Sequence, residues 1–165
     1  MATNMIAYTK HAVCESSKIK ATTCGHIFNV EAHKDLDNGS VVKLGGYLRP
    51  EVYGAEDPAA SDAVVLVLTT PLIYEEYTTK MQHEYNFYNA EGDIMRCYEL
   101  VPRDIFTVSV EGIEGTAEVG KFIVANGTKL AVADSDAGNA FTGKIVEKAA
   151  NGAYRIEVLR NGATA

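Results

Sequence analysis

The chain has 165 residues, and its 15 lysines and arginines against 22 aspartates and glutamates give a formal net charge of -7, with an isoelectric point near 5.1. That balance argues against a partner held chiefly through phosphates, because nucleic-acid binders carry a basic footprint. The length is enough for one domain with a core of its own, without metals or disulfides.

Cys14, Cys24 and Cys97 are odd in number and form no Cys-x-x-Cys pair, so three reduced thiols are expected rather than a disulfide framework or zinc knuckle. The longest apolar run, residues 63–68, is too short to span a bilayer. No basic segment followed by a long apolar run opens the chain, so a soluble protein outside the general export route is expected.

Residues 1–23 hold scattered apolar and small polar residues, with Lys10, Lys18 and Lys20 giving a local positive bias. They read either as an N-terminal arm or as a loose terminus followed by a first strand at 18–21. The β-rich domain then occupies 24–165. In 26–31, His26, Phe28 and Val30 alternate with Ile27, Asn29 and Glu31, the period of a strand. Asp37-Asn38-Gly39 is a turn, and 40–44 a short strand that stops at Gly45-Gly46, so the two strands are expected to pair as a hairpin or closely spaced ladder.

The composition of 50–62 predicts a long surface loop. The Val/Leu run of 63–69 predicts a central strand buried on both faces and ended by Pro71. In 72–89, tyrosines at spacings of three and four suggest a helical face, while Thr78-Thr79 and the aromatic content suit extended chain, so a short helix or irregular arm is expected. A turn at 89–93 and strands at 94–101 and 105–110 follow.

The clearest grammar lies in 118–159. Asn126-Gly127 and Asn151-Gly152 each stand between runs rich in Val, Ile, Phe and Tyr, predicting hairpins with two-residue type I′ turns. Tyr154, Ile156 and Val158 alternate with Arg155, Glu157 and Leu159, so a half-buried meander or small barrel is expected. The fold class is mainly β: an antiparallel barrel or sandwich-like domain with hairpins, a long loop and at most one short helix.

Motifs for catalysis are sparse. Cys24 and His26 would share a face of a strand, but two ligands make no tetrahedral site. Cys24 or Cys97 with His26, His33 or His83 could form a Cys-His nucleophile, yet nothing around either thiol marks an elbow or oxyanion loop. Glu75, Glu76 and Glu84 around His83 read as the solvated side of an aromatic segment. Residues 134–139 have the composition of a calcium loop without its ligand spacing or closing Glu, and read as a hairpin loop.

No phosphate-binding glycine motif occurs. Five of the nine tyrosines, Tyr74, Tyr77, Tyr85, Tyr88 and Tyr98, fall in one short window with Phe87. Rings with a polar tip suit a contact surface, and they suit equally well a cover over the domain's own sheet.

The motifs Phe87-Tyr88-Asn89 with Gly92, Arg96-Cys97-Tyr98, Asp104-Ile105-Phe106-Thr107-Val108, Val119-Gly120-Lys121 and Gly127-Thr128-Lys129-Leu130 span roughly 71–160. This half resembles the head decoration, or capsid cement, proteins of tailed bacteriophages. The resemblance implies a viral structural protein and no enzyme: a β-rich domain on the capsid surface of the virion, made in the host cytoplasm. It would bind the major capsid protein across subunit junctions, with itself as a further partner in a homo-oligomer.

No catalytic residue, metal, cofactor, nucleic acid, membrane or small-molecule substrate is expected. The capsid-facing residues expected are Tyr74, Tyr77, Tyr85, Phe87, Tyr88, Lys10, Lys18 and Lys20. Two other readings remain: a phage tail or baseplate β-module, and a small metal-binding or hydrolytic β-barrel built on Cys24 and His26.

Overall fold

The computed structural model describes residues 11–71, 84–135 and 138–162. The chain is mainly β, and its strands fall into a seven-stranded sheet and a closed five-stranded barrel. The sheet takes β1 (Cys14–Lys18), β7 (Ile105–Val108), β8 (Ile113–Glu114), β9 (Phe122–Asn126), β10 (Lys129–Ala133), β11 (Phe141–Lys148) and β12 (Tyr154–Asn161), in the order β1-β7-β12-β11-β9-β10-β8. All its pairs are antiparallel except β8 with β10. The barrel runs β2 (Ile27–Glu31), β4 (Val52–Glu56), β3 (Val41–Arg49), β5 (Val65–Val67), β6 (Ile94–Glu99) and back to β2. Here β2 and β4 are parallel and the other pairs antiparallel. The helical turn α1 (Ala21–Cys24) joins β1 to β2.

The apolar run around β5 explains how the two units share a core. Alternate side chains of a strand face opposite ways. Val41, Leu66 and Tyr98 belong to the core the barrel shares with the sheet, together with Phe106, Ile123, Leu130, Ile145 and Ile156. Their chain neighbours Val42, Val65, Val67 and Cys97 fill the barrel with Val30, Leu36 and Met95. Burial on both faces therefore removes any polar alternation from β5.

Polar side chains close the seams. Asn161 accepts the Val64 N–H at 2.9 Å and donates to the carbonyls of Val64 and Leu100 at 2.8 and 2.9 Å, tying the end of β12 to the barrel. Buried Asn89 donates to Leu36 O and Asn38 Oδ1, while Asn38 exchanges two hydrogen bonds with the Thr69 backbone.

Several expectations change. The first strand among the described residues is Cys14–Lys18, and 21–24 are helical, so the strand expected at 18–21 is displaced toward the N-terminus. β2 does not form a hairpin with β3; it pairs with β4 and β6. β3 does not stop at Gly45-Gly46 but crosses it through a bulge, with a second irregularity at Leu48. Gly45 is required there, since a Cβ would sit 2.9 Å from Gly54 O. The loop expected over 50–62 contains β4.

Asn126 and Lys129 face each other across Gly127 and Thr128, and only Gly127 of these two has a positive φ (60°), the pattern of type II′ rather than I′. At Asn151-Gly152 the connection is longer: Ala149 N–H donates to Ala153 O at 2.7 Å, and Gly152 takes φ 89°. The hairpin expected at 134–139 is not made by the strands on either side, because β10 and β11 are not neighbours; β9 lies between them.

Candidate functional site

Of the expected contact residues, Tyr74, Tyr77 and Lys10 lie outside the described residues, as do His83, Glu75 and Glu76. Phe87 is buried, so its ring has little surface to offer a partner. Tyr85 and Tyr88 are half-buried. The Tyr85 carbonyl accepts the His11 N–H at 2.7 Å. Tyr88 stacks on His11 with ring centroids 4.8 Å apart, and His11 Nδ1 lies 2.6 Å from Asp37 Oδ1. Residues 85–89 are thus tied to the fold, while Lys18 and Lys20 are exposed at the end of β1 and the start of α1.

The structure adds a surface that the sequence did not mark. β3 and β4 turn at Pro50-Glu51, and the strand leading in carries Tyr47 and Leu48, 61% and 57% exposed. Tyr47 meets Tyr53 edge-on at 5.3 Å, and Tyr53 meets Phe28 at 5.7 Å. The Tyr47 hydroxyl accepts the Glu51 N–H at 2.7 Å, and Arg49 pairs with Glu31 at 2.7 Å. Exposed apolar side chains held by ring packing are preorganised for contact, because their rotamers are already restricted.

A second surface is a groove of about 560 Å³ between β1, α1 and the connection from β6 to β7. Lys18, Lys20, Arg103 and Asp104 are its charged lining residues. Its floor is the turn Val101-Pro102-Arg103-Asp104, closed by Asp104 N–H to Val101 O at 3.1 Å. Arg103 has φ 79°. A type II turn takes proline second and favours glycine third, so arginine there costs about 1–2 kcal/mol in backbone strain.

Four further bonds hold this turn. Arg103 N–H donates to Val158 O at 2.9 Å, and Val158 N–H to Asp104 O at 2.8 Å. The Asp104 carboxylate accepts Val101 N–H at 2.9 Å and Lys20 N–H at 3.2 Å. Glu51 has φ 60° in the same position of its own Pro-X turn.

Among the described residues the thiols and imidazoles do not converge. Cys97 is inside the barrel, where burial pushes its thiol up to about 12, and burial with Glu15 nearby pushes Cys14 up as well. Cys24 is exposed. His26 pairs with Glu99, and His33 with Asp57, whose carboxyl is held below its usual range by His33 and Lys34. Among the described residues no three His, Cys, Asp or Glu side chains are grouped to hold a metal ion.

The residues behind the phage resemblance serve mainly as scaffold: Phe106, Val108, Cys97, Leu130 and Asn89 are buried, and Gly127-Thr128 is a turn. Two Pro-X dipeptides, Pro50-Glu51 and Pro102-Arg103, were the available sequence signal for the strained turns. No protein-family model, curated protein or solved structure matches the chain.

Proposed function

We propose that this chain is a capsid decoration protein of the tailed-phage kind, seated on the outside of the head and bridging major capsid subunits. The observation that carries this reading is the pair of exposed side chains Tyr47 and Leu48 on a hairpin braced by Tyr53 and Phe28. A rigid β platform presenting such a hairpin suits docking to another protein, and the motifs of 71–160 supply the phage context.

The physical role is linkage: a ligand that binds only the assembled shell stabilises it by mass action, by about 2.7 kcal/mol per site at a hundredfold excess over Kd. The test is co-sedimentation of the purified protein with expanded shells of its cognate capsid. Saturable binding and a higher disassembly temperature of the shell are expected. Protein that stays in the supernatant at every concentration would end this reading.

A further inference from the structure

The groove between β1, α1 and the Pro102-Arg103 turn carries an excess of positive charge in an acidic chain. Asp104, the one carboxylate among its described lining residues, is buried and accepts two backbone N–H bonds, so it serves the turn. Lys18 and Lys20 have no ion-pair partner among the described residues. Arg103 is 82% exposed at its side chain and pairs with Glu157 at 3.2 Å, a contact that water and salt screen. The turn that presents Arg103 is strained at that residue and held by five hydrogen bonds, so the guanidinium projects from a fixed base.

We infer that this groove binds an acidic segment of a protein partner, whose carboxylates meet Lys18, Lys20 and Arg103. The guanidinium offers paired donors matching a carboxylate, and the ammonium groups add charge without demanding one geometry. The identity of the partner as shell protein rests on the proposed function; the chemistry of the groove does not.

The test titrates the full chain with labelled hexaglutamate at low salt, using hexaglutamine, inorganic phosphate and oligothymidine as comparison probes, and follows backbone amide shifts. Hexaglutamate should saturate, perturb Lys18, Lys20 and Arg103 most, and weaken as salt screens it. Arg103→Gly should weaken binding about fivefold or more while raising the Tm by about 2–4 °C, which separates lost recognition from misfolding. Glu157→Gln should strengthen binding by freeing the guanidinium.

Equal binding by wild type and Arg103→Gly, or shifts spread over the whole surface, would overturn the groove. Phosphate or oligothymidine binding as tightly as hexaglutamate would overturn its assignment to an acidic peptide. Shell binding without hexaglutamate binding removes the groove alone; hexaglutamate binding without shell binding removes the shell reading alone.

Discussion

Two turns in this molecule use the same device with different support. Pro50-Glu51 and Pro102-Arg103 each place a charged residue at positive φ, after proline, where glycine would be relaxed. The first caps a barrel hairpin, where ladder pairing of Arg49 with Val52 and one hydrogen bond from Glu51 to the Tyr47 hydroxyl set its shape. The second links the barrel to the sheet, and backbone and carboxylate bonds to Val101, Val158 and Lys20 fix it from three sides. Strain at Arg103 is therefore borne by the body of the fold, and strain at Glu51 by the hairpin alone. The consequence is one polar surface whose turn is fixed by the body of the fold and one apolar surface whose side chains are held by ring packing while its turn is held only locally.

The largest expected effect comes from cutting the support of the second turn. Asp104→Ala leaves two backbone amides without their carboxylate and should lower stability by about 2–3 kcal/mol in denaturant unfolding. Tyr47→Phe, the matching cut at the first turn, should cost no more than about 1 kcal/mol. Similar losses in the two variants would erase the distinction. Next in size, Arg103→Gly should raise stability by about 1 kcal/mol and Glu51→Gly by less, because the hairpin relaxes around its own turn. A loss of stability in Arg103→Gly would mean that its side-chain contacts outweigh the strain.

How far the sequence could be read follows from how local each determinant is. The run around Val65–Val67 betrayed a strand buried on both faces, because its neighbours alternate between two cores. Asn126-Gly127 marked a hairpin correctly, though with Gly127-Thr128 as its central pair. What failed was long-range. The β2–β4 pairing is parallel and joins residues separated by all of β3, which no turn residue announces.

Gly45-Gly46 looked like a stop because glycine breaks strands and also permits bulges, and only the approach of Gly54 O decides which. β4, Val-Tyr-Gly-Ala-Glu, is short and carries small residues, so it read as loop. For the candidate site, Lys18 and Lys20 were legible as a local charge bias, while Arg103 joined them only through folding. Tyr47 and Leu48 were not legible because their exposure and the Tyr47–Tyr53 contact depend on the irregular register of β3 on β4, which no local pattern encodes.

The most direct test of the docking account is a co-sedimentation isotherm of the Tyr47→Ser, Leu48→Ser double variant on expanded shells, with its melting temperature measured in parallel. The account predicts binding weakened about tenfold or more, with the Tm lowered by no more than about 5 °C, because the variant loses the hydroxyl bond to Glu51 and the ring contact with Tyr53 but leaves the core intact. Wild-type affinity in a folded double variant would contradict it.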